Sequence, residues 1–152
     1  MKIGVISDTH GLLRPEAVEA LRGTDHILHA GDVGDIEIVH RLQEIAPVTA
    51  IRGNVDRSGP CSLLPETEYL ELAGHNLFLI HDLSQLDLNP IAAGVACVIY
   101  GHSHQPSEEW KKGVLYFNPG SAGARRFSLP VSVGFLELTD TVFQPSLRNL
   151  LG

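Results

Sequence analysis

Thiols are nearly absent. Cys61 and Cys97 are the only cysteines in 152 residues, and neither has a close-spaced partner, which excludes a disulfide framework and a thiolate zinc cluster. Long apolar runs are missing as well. The longest, Ile91 to Tyr100, falls well short of the ~18 residues that suggest a membrane span. Basic residues are scarce, 11 against 18 acidic, for a net charge of −7. Nonspecific nucleic-acid binding needs basic surface that releases counterions from phosphates, and the pairs Lys111-Lys112 and Arg125-Arg126 are too sparse to form a stripe. The expected partners therefore exclude a long nucleic acid and a membrane, but not a small phosphate ester held by a local site. No basic region followed by an apolar core and a small-residue cleavage site opens the chain, so a cytoplasmic location is the expectation.

What is there describes a globular protein: 43% apolar residues against 19% charged. Residues 1–152 read as a single domain, with no repeat, low-complexity tract or linker to divide them. The oddity is eight histidines.

The first half alternates strand and helix signals. Lys2 to Ser7 is β-rich and stops abruptly at Asp8-Thr9-His10-Gly11. A helix is expected next, with Pro15 in its first turn, Ala17, Val18 and Leu21 as its apolar stripe and Gly23 as its stop. His26 to Ala30 reads as a strand closed by Gly31-Asp32, and Asp35 as the N-cap of a helix facing inward through Ile38 or Val39, Leu42 and Ile45. Val48 to Arg52 is a third strand, ending in Gly53-Asn54. This alternation is that of a parallel sheet with right-handed crossovers. The second half is β-rich. A hairpin is expected from Glu68–Leu72 and Leu77–Ile80, a short helix around Leu86 to Ala93, a buried strand at Ala96–Tyr100, and strands at Val114–Phe117, Val131–Leu138 and Val142–Gln144.

Five of these strands end in metal-competent side chains: Asp8 and His10, Asp32, Asn54, His81, and finally His102 with His104. The carboxyl ends of parallel strands line a common crevice where ligands bind, so strands sharing one sheet would bring the seven together. Turn chemistry alone accounts for Asp and Asn after glycine, but not for four histidines in such positions. Oxygen and imidazole donors without thiolate suit Mn, Fe, Zn or Ni. Seven donors exceed one tetrahedral ion and serve two if a carboxylate bridges, a role that suits Asp32 just beyond its glycine. Paired ions about 3.5–4 Å apart clamp both oxygens of a phosphoryl displacement.

The ordered set Asp8-Thr9-His10, Gly31-Asp32, Gly53-Asn54, His81, Gly101-His102-Ser103-His104 and Asn118-Pro119-Gly120-Ser121 resembles the calcineurin-like metallophosphoesterases, and within them the small bacterial and archaeal phosphodiesterases of the YfcE type. The resemblance implies an α/β fold: a four-layer α/β/β/α sandwich with two mixed β-sheets. It assigns Asp8, His10 and His104 to a first metal, Asn54, His81 and His102 to a second, and Asp32 to the bridge, with Asp32, Asn54 and His102 in the catalytic machinery itself. It implies two divalent cofactor ions, most simply Mn, with Fe, Zn or Ni as alternatives, and a small phosphodiester as substrate. A phosphomonoesterase, or a protein-interaction scaffold of the same fold like the retromer subunit that resembles this family, are the alternatives. No feature defines an oligomeric state.

Two positions depart from the family pattern. Many relatives have a histidine after Gly-Asn that can protonate the leaving oxygen; here Val55 stands there, followed by Asp56. A preference for esters with good leaving groups is expected, because proton transfer contributes about 10²–10⁴-fold. After His81, Asp82-Leu83 replaces the usual Gly-His or Gly-Asp and alters the pocket rim. Outside the ligand set, His26 and His29 are expected to be structural, His40 to sit on a solvated helix face, and His75 to lie in a hairpin turn. Asp56 reads equally as an orienting or a loop-capping residue. Arg125 and Arg126 read as surface arginines, or as groups able to reach a substrate phosphate. Trp110 and Lys111-Lys112 belong to a hairpin tip near Gly113.

Overall fold

A computed structural model describes residues 1–126 and 128–152. Among these residues, ten strands form two mixed five-stranded sheets. The first holds β1 (Lys2–Ile6), β2 (His26–His29) and β3 (Val48–Ala50) in parallel, joined through α1 (Pro15–Leu21) and α2 (Ile36–Gln43). The second holds β4 (Thr67–Leu72), β5 (His75–Ile80), β6 (Cys97–Ile99), β7 (Ser107–Lys111) and β8 (Val114–Asn118), with β5, β6 and β8 parallel. The chain then returns to the first sheet through β9 (Ser132–Leu138), antiparallel to β1, and β10 (Phe143–Asn149) at its edge.

The near-continuous apolar strands follow from burial on both faces. Ile3 and Val5 of β1 point between the sheets, where they meet Leu77 and Leu79 of β5, Ile99 of β6 and Phe117 of β8. Ile6 instead faces the helices, among Ala17 and Leu21 of α1 and Leu42 of α2. Pro15 opens α1, and the Asp35 side chain caps α2 by accepting the Glu37 N–H at 3.0 Å. Ile38 and Val39 are both buried, and His40 is exposed, as the periodicity requires.

The helix expected at Leu86 to Ala93 does not form. Asp82 caps a 3₁₀ turn over Leu83–Gln85. Pro90, lacking an N–H, prevents continuation. Asn89 then starts a single turn, accepting from Ile91 and Ala92, which Gly94 ends at φ 71°. Leu83, Leu86, Leu88 and Ala93 still cover the outer face of the second sheet, over Ile80, Val98 and Val114, so irregular chain makes this outer layer. Two-residue turns at Ala73-Gly74 and Lys112-Gly113, all at positive φ, close the β4–β5 and β7–β8 hairpins; His75 accordingly belongs to β5 rather than to the turn. The last strand runs longer than the expected Val142–Gln144, because Pro145 is tolerated on an edge strand. Among the described residues, no helix is long and apolar enough to cross a membrane.

Candidate metal centre

The five ligand-bearing strands do not share one sheet. Three belong to the first and two to the second, and the ligands meet because the two sheets pack with these carboxyl ends at the same end of the sandwich. Asp8 and His10 follow β1, Asp32 follows β2, Asn54 follows β3, His81 follows β5, and His102 and His104 follow β6.

Asp8, Asp32, His81 and His104 are at most 5% exposed. Asp8 Oδ1 lies 3.4 Å from His104 Nε2, 3.6 Å from His10 Nε2 and 3.8 Å from His81 Nε2. Asp32 Oδ2 lies 3.1 Å from His81 Nε2 and 3.4 Å from His10 Nε2. Two ligand groups result, Asp8–His10–His104 and Asp8–Asp32–His81, each with donor atoms within 4.8 Å of one another. Asn54 and His102 stand outside them, exposed on the wall of a cleft that also includes His81. The His102 ring meets His81 edge-on at 5.4 Å between centroids, and its Nε2 lies 3.8 Å from Asp82 Oδ2.

Each aspartate has one oxygen tied off. Asp8 Oδ2 accepts the Ser7 hydroxyl at 2.6 Å and the His102 N–H at 3.1 Å. Asp32 Oδ1 accepts the Val55 N–H at 3.0 Å. The remaining oxygen of each faces the imidazoles. His81 is oriented from behind by Nδ1, which donates to the Ala30 carbonyl at 2.8 Å, the usual arrangement for a ligating histidine.

Glycine is required where the carboxylates come closest to the chain. A Cβ on Gly53 would overlap Asp32 Oδ1, and one on Gly101 would overlap Ser7 Oγ and Asp8 Oδ2. The ligand backbones themselves are bent. Asp8, His10, Asp32, His102 and His104 have φ between 48° and 71°; among the described residues, the only other non-glycine residues with positive φ are Ala73 and Lys112, in the two hairpin turns. Left-handed backbone costs a non-glycine residue roughly 1–2 kcal/mol, and its concentration at five neighbouring ligands is the mark of a functional site.

The donor set fits metal ions. Asp8 Oδ1, His81 Nε2 and His104 Nδ1 are buried without a hydrogen-bond partner, and leaving a buried polar atom unpaired costs about 1–3 kcal/mol. Two of the three, Asp8 Oδ1 and His81 Nε2, face the same space. Burial pushes the Asp8 carboxyl up, but His10, His104 and Ser7 more than reverse this and hold it well below the ordinary carboxylate range. Asp32 is likewise lowered, burial being outweighed by His81 and the Val55 N–H. The His10 pKa is raised by Asp8, and that of His81 by Asp32 against its burial.

Several supports carry no sequence signal of their own. Ser7 is one. His29, expected to be structural, lies fully buried beneath the centre. Its Nδ1 accepts the Gly31 N–H at 3.1 Å, so Nε2 carries the proton and donates to Thr9 Oγ1 at 3.1 Å, and Thr9 donates to the Val33 carbonyl at 2.8 Å. Burial pushes the His29 pKa down to about 4, which keeps the ring neutral. Asn118, visible in the sequence within Asn-Pro-Gly-Ser, braces the histidine loop by donating to the Gly101 carbonyl at 3.1 Å and Ser103 Oγ at 3.0 Å. His26 bonds Thr49 and His75 bonds the Thr139 carbonyl, while Arg125 and Arg126 are exposed.

Comparison with known proteins agrees with this architecture. Residues 1–141 match the model of the calcineurin-like phosphoesterase superfamily domain. A probable metallophosphoesterase of Methanothermobacter thermautotrophicus is 37% identical over 142 residues, covering 86% of this chain and 82% of that protein. The phosphodiesterase YfcE of Escherichia coli is 30% identical over 167 residues, covering 90% of this chain and 88% of that protein. A single-residue variant of Vps29 from Entamoeba histolytica superposes with a TM-score of 0.83 at 22% identity, over 99% of this chain and 93% of that one, a likeness of fold. By the family match over residues 1–141 and the 37% identity to the archaeal relative, the chain belongs to the calcineurin-like phosphoesterase superfamily.

Proposed function

We propose that the protein is a dinuclear metal-dependent phosphoesterase that hydrolyses small phosphodiesters. The observation that carries this reading is the convergence of Asp8 Oδ1, His81 Nε2 and Asp32 Oδ2 on one buried space, with no hydrogen bond satisfying Asp8 Oδ1. Asp8, His10 and His104 would hold one ion and Asn54, His81 and His102 the other, with Asp32 between them. When bound, such a pair supplies Lewis acidity, an activated water and residual positive charge over the two carboxylates, which together favour attack on a phosphate ester.

The chain's own residues shape what reaches that point. A cleft of about 520 Å³ opens beside Asn54, His81 and His102, a volume suited to one small organic group. Phe78 and Ile80 give it an apolar side, and Glu66, Asp82 and Asp87 line it with carboxylates. Asp82 is itself fixed, accepting from the Ser84 N–H at 3.0 Å and the Ser84 hydroxyl at 2.8 Å, which leaves its other oxygen toward His102. Val55 is 47% exposed and offers no proton to a leaving oxygen. The choice of a diester is supported by the phosphodiesterase at 30% identity. A non-catalytic scaffold has no need of a full donor set with buried, unsatisfied lone pairs.

The test is reconstitution with manganese followed by metal analysis and by hydrolysis of a bis-nitrophenyl phosphate diester and a nitrophenyl phosphate monoester. Two ions per chain and faster turnover of the diester are expected. One ion per chain would sink the dinuclear reading, and faster turnover of the monoester would make the protein a phosphomonoesterase.

A further inference from the structure

Asp56 is a carboxylate that this function leaves unused, although it is only 2% exposed. No cation pairs with it among the described residues. Three backbone N–H groups do instead. Val33 donates to Oδ2 at 3.0 Å, Gly53 to the same oxygen at 2.9 Å, and Gly34 to Oδ1 at 2.9 Å. Val33-Gly34 directly follows Asp32, and Gly53 directly precedes Asn54.

The contact is returned. The residue before Asp56, Val55, donates its N–H to Asp32 Oδ1 at 3.0 Å. Each of the two loops thus gives a carboxylate to the other's backbone. The closeness of Gly53 to Asp32, where a Cβ would overlap the carboxylate, completes the stitch. A carboxylate side chain can accept on both oxygens at once, as Asp56 does here. An amide would turn its NH₂ toward either Gly34 or the Val33–Gly53 pair.

We propose that Asp56 is a positioning residue of the metal centre, which locks the Asp32 and Asn54 loops together so that Asp32 presents Oδ2 before an ion arrives. This rests on the dinuclear reading above. A residue that merely capped its own loop would bond Gly53 alone; Asp56 reaches the loop after β2 with both oxygens.

The test titrates Mn²⁺ into the metal-free full chain, wild type and Asp56→Asn, by calorimetry. Loss of a residue that orients a ligand costs about 10–100-fold in metal affinity, and that loss is expected at the ion sharing Asp32 and Asn54. The ion held by Asp8, His10 and His104, which shares Asp32 but not Asn54, should weaken by less than the other ion. A second measurement needs no variant. In metal-free wild type, amide hydrogen exchange should be slow at Val33, Gly34 and Gly53, although Gly34 is on the surface. Unprotected amides there would overturn the proposal even if Asp56→Asn failed to fold. Wild type binding two ions and a folded Asp56→Asn with the same two affinities would overturn it alone. Wild type taking up fewer than two ions would overturn the functional reading and this proposal with it.

Discussion

Asp8, Asp32, His81 and His104 form an inner half of the centre, at most 5% exposed, whereas the His102 side chain is 47% exposed and Asn54 lies on the surface. The inner residues have each spare atom fixed from behind or sealed from water: Asp8 by Ser7, Asp32 by Val55, His81 by Ala30. The outer residues border the cleft and its carboxylates. Burial leaves the inner donors no water to satisfy them, so their only good partner is a Lewis acid or a proton. Exposure leaves the outer donors free to hydrate, so on the proposed function they would meet the substrate as well as an ion. One half would then specify that ions are held, and the other what they act on.

The most severe break is at Asp32, the inner residue proposed to serve both ions. Asp32→Asn should reduce hydrolysis by at least about 10³-fold, since the charge that holds the centre together is lost with its function, and metal analysis should find both ions depleted. His104→Ala and His102→Ala then separate the halves. The inner variant should lose the first ion and destabilise the fold, because it opens a buried cavity. The outer one should weaken the second ion by about 10-fold or more while leaving the melting temperature of the metal-free protein close to wild type. Equal effects on that melting temperature would erase the distinction.

Proton release sharpens the inner half. The pKa values of His10 and His81 are raised by Asp8 and Asp32, and a histidine must be neutral to ligate. Manganese must therefore displace protons near and below neutrality, and affinity should rise with pH until it passes the raised values, then level off. Calorimetry in buffers of different ionisation enthalpy measures the protons released. A flat affinity between about pH 6 and pH 8, around the ordinary histidine value, would mean that neither ring is protonated in the metal-free centre.

On the outer half, Val55→His should accelerate alkyl esters over aryl esters, by about tenfold if the imidazole reaches the leaving oxygen, a fraction of the usual contribution of an acid. Single-turnover rates keep product release from masking the difference. His40→Ala is the smallest expected effect. His40 pairs with Glu37 at 3.2 Å on an exposed face, so stability should move by less than about 0.5 kcal/mol and hydrolysis not at all.

The ligand order, the βαβαβ start and the capping of α2 by Asp35 were legible in the chain because each depends on local chemistry: strand periodicity, a glycine, an N-cap. Other features depended on neighbours. Ser107–Lys111 pairs as an edge strand although its sequence shows no alternation and four of its five residues are exposed; the ladder to β8 makes it a strand. The stretch after Leu86 looked helical by composition, but the Asp82 and Asn89 caps and Pro90 break it into turns.

By itself the sequence determined which side chains carry metal-competent atoms and that each follows a strand, since strand ends and turn residues are set within a few positions of the chain. Only the tertiary structure decided that two sheets rather than one deliver those ends, which oxygen of each aspartate is left free, and that Asp56 spans two loops. Those outcomes turn on contacts between segments 20 or more residues apart, such as Val33 with Asp56, 23 positions away, and His102 with Asp8, 94 positions away, and no local pattern encodes which buried N–H will find which carboxylate.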